Sequence, residues 1–126
     1  MTRLFVELPI FRSRWKDLGL NDDDLKRLQE ELLADPKIGA VMRGTGGVRK
    51  MRFAFEQRGK SGSIRVIYVD FEVYEKIFLI TAHKNQDFSG NRITLADGIN
   101  VPLCNGFAPF VLLAYYFRKQ PHFAPT

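Results

Sequence analysis

The chain has very few of the residues that build disulfides and transition-metal sites. It contains one cysteine, Cys104, and two histidines, His83 and His122, among 126 residues. A single cysteine cannot close a disulfide within the chain, and these three positions lack the close spacing of a zinc site. We therefore expect a protein of a reducing compartment with no structural metal and no cofactor.

Long apolar segments are lacking as well. The longest apolar run, Phe107 to Phe117, has 11 residues and contains a proline, whereas a helix that spans a bilayer needs about 20 apolar residues. The N-terminus does not show the charged segment, apolar stretch and cleavage site of a signal peptide. These absences predict a cytoplasmic protein with no membrane partner, whose apolar run belongs to the core or to an oligomer surface.

Positive charge is in excess and is concentrated in one quarter of the chain. The formal net charge is +5, and residues 43–65 contain seven basic residues and one acidic residue, so that this stretch alone carries +6. The apolar content of 45% and the length fit one folded domain, residues 1–126. A basic stretch of this kind favours a polyanionic partner such as nucleic acid.

Hydrophobic periodicity predicts an α+β domain. Asn21 is a good N-cap for an amphipathic helix over residues 22–34, and the Asp35-Pro36 pair ends it. A short strand over residues 3–7 and a weak helical segment at residues 11–18 precede this helix. Polar turns at 57–63 and 72–75 separate three further strands, at residues 48–53, 64–71 and 76–82. Consecutive strands with short turns predict a small antiparallel β-sheet flanked by the N-terminal helices.

The glycine-rich segment 44–47 and the basic residues after it have two interpretations each. The glycines could expose backbone N–H groups to a phosphate, but we favour a turn that needs positive φ, because no Walker motif follows. Arg49, Lys50 and Arg52 lie on the next predicted strand. Antiparallel pairing should bring them to Arg58, Lys60 and Arg65, to form either a phosphate-binding surface or a solvated charged face.

RNA can be cleaved without a metal when its 2′-OH attacks the adjacent phosphate, a base removes the proton and cations stabilise the developing charge. Arg65 interrupts an apolar strand, which a structural pairing or a phosphate-stabilising role would explain. His83 ends the neighbouring strand and could exchange a proton near neutral pH, although strand-end histidines are commonly structural. Tyr68 falls on the strand face opposite to that of Arg65, and we expect it in the core.

Over residues 4–85 the sequence resembles the RelE/HigB-like toxins of type II toxin–antitoxin systems. The resemblance rests on Gly-Thr-Gly-Gly-Val-Arg-Lys-Met-Arg at 44–52, a Gly-Lys turn at 59–60, Arg-Val-Ile-Tyr at 65–68 and the pair Lys84-Asn85. Asp-Pro-Lys-Ile-Gly at 35–39 is similar to the family's helix exit. The resemblance implies a RelE-like α+β fold for these residues.

The same resemblance implies a function and a site. It implies ribosome-dependent cleavage of messenger RNA, which a cognate antitoxin, expected to be a helix-turn-helix DNA-binding protein, neutralises. Arg65 would stabilise the phosphate, and Lys60 would contribute to catalysis. The residues that would contact RNA or the ribosome are Arg49, Lys50, Arg52, Arg58 and Lys84.

Two departures from the family pattern leave alternatives open. The tyrosine that often precedes the Lys-Asn pair is absent, since the chain has Ala82-His83 there. His83 could stack on a base or replace the tyrosine in proton transfer, or activity is lost. Residues 86–126 do not resemble the family's charged C-terminal helix. The sequence therefore predicts a metal-independent endoribonuclease toxin. The alternatives are a noncatalytic RNA- or ribosome-binding translation inhibitor and a decayed toxin that only binds its antitoxin.

Overall fold

The computed structural model describes residues 3–57, 60–84, 92–94, 100–102 and 114. A 3₁₀ turn, Glu72–Tyr74, joins the fourth strand to the fifth. The strands and helices, in chain order, are β1 (Leu4–Glu7), α1 (Pro9–Asp17), α2 (Asp22–Ala34), β2 (Ala40–Val41), β3 (Arg49–Gln57), β4 (Lys60–Phe71), β5 (Lys76–His83), β6 (Arg92–Thr94) and β7 (Asn100–Pro102).

Five strands form one mixed sheet in the order β1-β5-β4-β3-β2. Strands β2 to β5 pair antiparallel, which confirms the predicted meander and the α+β fold class. Strand β1 joins the sheet parallel to β5, a pairing that the sequence did not predict. Parallel neighbours need a long connection, and the chain between β1 and β5 contains both helices and three strands. Strands β6 and β7 form a separate antiparallel pair.

Local sequence signals set the ends of both helices. The Asn21 side chain accepts the Asp24 N–H at 2.9 Å, and the Asp24 carboxylate accepts the Asn21 N–H at 3.1 Å, which closes a capping box at the start of α2. Asp35 is extended and ends α2 before Pro36, as predicted. Helix α1 begins with Pro9 and is followed by Gly19 at φ 80°.

Both helices pack on one face of the sheet, which we call the helix-covered face. Trp15 stacks on Phe11 with ring centroids 5.3 Å apart and contacts Phe53 of β3 at 5.7 Å. This core also contains Leu28, Leu32, Met51, Ile64, Val66, Tyr68, Leu79 and Ala82. A smaller apolar cluster lies on the other side of the strands, which we call the second face, and contains Leu8, Val48, Ile67, Val69 and Ile80.

The hairpin between β3 and β4 differs from the sequence prediction. A polar turn over residues 57–63 was expected, but Gln57 pairs with Lys60, so both strands continue and only residues 58 and 59 separate them. That prediction was wrong because every residue except proline offers the same backbone donor and acceptor to a ladder, whatever its side chain. The segment between α2 and β3 contains the two-residue edge strand β2.

Within the described part of the chain, no helix is long and apolar enough to cross a membrane. The predictions for residues 86–126, including the apolar run Phe107 to Phe117, fall almost wholly outside the described residues.

Candidate nucleic-acid interface

Three neighbouring strands bring Arg52, Arg65 and His83 side by side. Arg52 of β3 lies directly opposite Arg65 of β4, and Arg65 lies directly opposite His83 of β5. Residues directly opposite in antiparallel strands share a face, with Cβ atoms about 4.5–5.5 Å apart. We call these three residues the Arg–Arg–His row. The row lies on the second face, and Lys50 lies on the same face two residues before Arg52.

Exposure to solvent decreases along the row. Arg52 is exposed, Arg65 is half-buried, and His83 retains only 8% of its accessible surface. Lys50 and Lys84 are both exposed. An anion that approaches from solvent therefore meets the exposed guanidinium and lysine side chains first, with the imidazole at the inner end.

Arg52 is oriented by a contact that the sequence analysis did not predict. Its Nε donates a hydrogen bond to Oγ of Ser63 at 3.0 Å. Ser63 precedes Arg65 by two residues on β4, so the two side chains share the second face. The hydrogen bond holds Nε of Arg52 beside β4, while the residue as a whole remains exposed. A serine two positions before a strand arginine is the only sequence signal for this contact.

The two arginines of the row repel each other. Like charges directly opposite in a sheet are destabilising. None of the side chains that the structure describes on the second face of β3, β4 and β5 is acidic. An anionic ligand at Arg52 and Arg65 would offset this repulsion, and arginine holds two phosphate oxygens through its planar fork.

His83 has a defined ring orientation. Its Nδ1 lies 2.8 Å from the backbone oxygen of Lys84. A carbonyl oxygen only accepts, so we assign the proton to Nδ1, and the neutral ring then carries its lone pair on Nε2. Nε2 is buried in this structure, so a substrate hydroxyl reaches it only if the side chains around the ring move.

Arg49 does not belong to the row. It lies opposite Tyr68 on β4, and its guanidinium NH1 donates to the backbone oxygens of Gly39 at 2.7 Å and Lys37 at 3.4 Å. Arg49 thus ties β3 to the segment that leads from α2 into β2. The sequence placed it with Lys50 and Arg52, because adjacency in a strand does not reveal a long-range partner.

The other predicted basic residues are only partly placed. The backbone of Lys60 pairs with Gln57 at the end of the hairpin, five residues before Arg65 on β4. That separation is about 16 Å along a strand, so the pairing does not bring Lys60 next to the row. Arg58 and the Lys60 side chain lie outside the described parts of the structure.

Tyr68 is a core residue, as predicted. Its hydroxyl is buried, accepts the N–H of Gly39 at 2.9 Å and donates to the oxygen of Pro36 at 2.8 Å. Burial raises the pKa of Tyr68 above the ordinary value of a tyrosine. The hydroxyl is thus engaged between α2 and β2, on the face opposite to the row.

The glycine-rich segment forms the predicted turn. Gly44, Gly46 and Gly47 have φ values of 78°, 77° and 135°, which side chains other than glycine rarely adopt. Thr45 lies in the interior of the turn, where its Oγ1 donates to the Met42 oxygen at 2.6 Å and accepts the Val48 N–H at 3.1 Å. In the described residues no group of three potential metal ligands comes together.

Comparison with known proteins gives a structural similarity but no match to a family profile. No protein-family profile matches the sequence. The structure is similar to that of a double arginine-to-alanine mutant of the E. coli toxin RelE in the free state, with a TM-score of 0.49 and 20% sequence identity. The match covers 68% of this chain and 86% of that chain.

Proposed function

We propose that this chain is the toxin of a toxin–antitoxin system and cleaves messenger RNA on the ribosome without a metal. The observation that carries the proposal is the Arg–Arg–His row, in which two guanidinium groups and an imidazole share one sheet face. These groups match the requirements of cleavage by a ribose 2′-OH, namely a proton acceptor and fixed positive charge at the phosphate.

Arg65 and His83 have separate roles in the proposed reaction. Arg65 binds the non-bridging oxygens of the scissile phosphate and stabilises the charge that develops there. His83 accepts the 2′-OH proton at Nε2 as the 2′-oxygen attacks phosphorus. The bond from phosphorus to the 5′-oxygen breaks, and that oxygen takes a proton from solvent. The products are a 2′,3′-cyclic phosphate and a 5′-OH.

The exposed basic residues bind the flanking phosphates. Arg52 and Lys50 lie on the same face as the inner pair, and Lys84, which follows His83 in the chain, is exposed. Contacts of this type position the RNA and supply affinity without reading its sequence. The choice of cleavage site then depends on the ribosome, which presents the message, and the antitoxin blocks the same basic face.

The experiment that tests this function is a map of RNA ends. The wild-type chain and the Arg65→Ala variant are induced briefly in cells and also added to a purified translation reaction that contains EDTA-treated protein. Primer extension locates cuts, and enzymatic treatment of the fragments identifies 2′,3′-cyclic phosphates. The matched control is Lys26→Ala, because Lys26 is an exposed basic residue of α2 that is not on the second face.

The result that supports the proposal is ribosome-dependent cleavage with cyclic phosphate ends that persists in Lys26→Ala and is lost in Arg65→Ala. Arrest of translation with intact messages would instead show a noncatalytic inhibitor. Normal growth with intact messages would show a chain without toxin activity, and antitoxin binding would then be its remaining role.

A further inference from the structure

Strand β5 contains one residue more than the regular ladder with β4 requires. Near the turn, Phe71 pairs with Lys76 and Tyr68 pairs with Leu79, whereas the next residue of β4, Ile67, pairs with Thr81. Ile80 is therefore an extra residue, which makes a β-bulge between the two parts of the ladder.

The bulge decides which face of the sheet His83 occupies. If the register near the turn continued without interruption, Ala82 would lie opposite Arg65, and His83 would lie opposite Ile64. Ile64 is 1% exposed and belongs to the core of the helix-covered face. A shift of one residue exchanges the two faces for every later residue of a strand. The shift at Ile80 thus moves His83 from the apolar core to the row.

The polarity of the strand residues explains why the bulged register forms. Ile80 is fully buried in the apolar cluster of the second face, and Ala82 is fully buried in the core of the helix-covered face. Without the bulge, Thr81 and His83 would both enter that core, where burial of polar groups lacking hydrogen bonds is costly. With the bulge, both of these polar side chains lie on the second face.

We propose that the bulge at Ile80 is a positioning device for the site, which turns the His83 imidazole towards Arg65 and Arg52. The inference rests on the proposed function, and it assigns the position of His83 to the register of β5 beyond the bulge, not to the Ile80 side chain. Bulges commonly re-aim a side chain beside an active site. Here the re-aimed group is the one that would take the 2′-OH proton.

Two variants test the inference. Exchange of neighbouring residues, Ala82→His with His83→Ala, keeps the composition and moves the imidazole to the helix-covered face. Deletion of Ile80 removes the extra residue together with the bulge, so that a regular ladder keeps His83 opposite Arg65. Both variants retain the two arginines of the row. Circular dichroism establishes which of them fold.

Two readouts separate the position of the ring from the activity of the protein. The first is the NMR shift of the imidazole nitrogens when inorganic phosphate is added, with the signals assigned through His83→Ala. The second is the pH profile of ribosome-dependent RNA cleavage in single-turnover experiments. Bulk loss of stability would not remove one limb of a pH profile, whereas loss of a proton acceptor would.

We expect the phosphate-induced shift and the wild-type pH profile to persist in the Ile80 deletion. The exchange variant should lose both and should cleave at least about 100-fold more slowly, since general acid–base catalysis contributes roughly 10²–10⁴-fold. A phosphate-induced shift and wild-type cleavage in an exchange variant whose inter-strand NMR contacts still show the bulged register would overturn the inference. If the exchange variant does not fold, loss of the phosphate shift at His83 in a folded Ile80 deletion overturns it. A wild type that responds to phosphate but cleaves no RNA would contradict the proposed function and leave the positioning supported.

Discussion

Tyr68 and Gly39 contact each other across the junction between α2 and the sheet. The Tyr68 hydroxyl accepts the N–H of Gly39 at 2.9 Å. A Cβ added at position 39 would lie 2.9 Å from Cε1 of Tyr68 and 2.8 Å from the backbone oxygen of Lys50. The absence of a side chain at Gly39 therefore permits the close approach of three segments, one of which carries Lys50 to the second face.

Gly39→Ala should destabilise the protein by about 2 kcal/mol, because overpacking of a buried site typically costs 1–3 kcal/mol. The atoms that a new Cβ would meet include backbone, which cannot move without displacing β3. Urea denaturation followed by circular dichroism measures the change. The control is Gly62→Ala, where the nearest atom is Cζ of Phe55 at 3.1 Å and the end of a side chain can shift. Equal losses in the two variants would contradict the role assigned to Gly39.

Stability should fall in alkaline solution because of Tyr68. Burial raises its folded-state pKa above the unfolded value of 10.0, so the folded protein keeps the phenol proton longer than the unfolded chain does. The contribution is complete below pH 10 and is lost as the pH rises through the folded-state pKa. Urea denaturation between pH 8 and about pH 11 should show a smaller decline in Tyr68→Phe than in the wild type. Tyr74→Phe, at a residue that is 49% exposed, should retain the wild-type decline.

Asp70→Asn should cost about 3 kcal/mol of stability, since removal of one partner leaves the charge of the other buried. Nε of Arg3 donates to Oδ1 of Asp70 at 2.8 Å, and the two side chains are only 7% and 2% exposed. The ion pair Lys37–Glu72, at 3.4 Å, is a natural control because both side chains are more than half exposed. Glu72→Gln should change stability by less than about 0.5 kcal/mol after screening by solvent. Similar losses in thermal and urea unfolding for both variants would contradict this ranking.

Arg49 and Arg52 should differ in their effects on RNA binding although they are three residues apart. Binding of a 2′-deoxy oligonucleotide, which the proposed reaction cannot cleave, is measured by fluorescence anisotropy at several salt concentrations. Arg52→Ala should lower the slope of log K against log salt by about 0.7, the value for one phosphate contact on a single strand. Arg49→Ala should leave the slope unchanged and lower stability by about 1.5 kcal/mol, because Arg49 donates to backbone oxygens. A reduced slope for Arg49→Ala would place this residue in the RNA interface.

Features that depend on neighbouring residues were predictable from the sequence. The bounds of α2 follow from Asn21 and the Asp35-Pro36 pair, and both signals act within one turn of the helix. The alternation along β3 is visible in the sequence and agrees with the structure, in which Lys50 and Arg52 are exposed and Met51 and Phe53 are buried. Alternation along β4 assigned Tyr68 to the core.

Features that depend on contacts between distant segments were not predictable in the same way. The partners of Arg49 lie in the segment before β2, and the parallel pairing of β1 depends on how the whole chain returns to β5. Prediction of the Arg–Arg–His row would have required the register of two strand pairs, and the register of one pair changes at Ile80. The sequence shows that the alternation of inward and outward residues changes between Ile80 and Thr81. It does not show which face each residue occupies, and so it does not reveal the bulge.

The opposed pair Arg52 and Arg65 affects the stability of the free protein. Folding places the two arginines directly opposite each other, and a pair of like charges in this position counts against the native state. Dissolved ions screen such repulsion over roughly 10 Å at 0.1 M salt. Salt at this face therefore stabilises the unliganded fold, and under the proposed function it also weakens RNA binding. A bound phosphate chain would replace those ions under the same proposal, so that RNA binding would add to the stability of the fold.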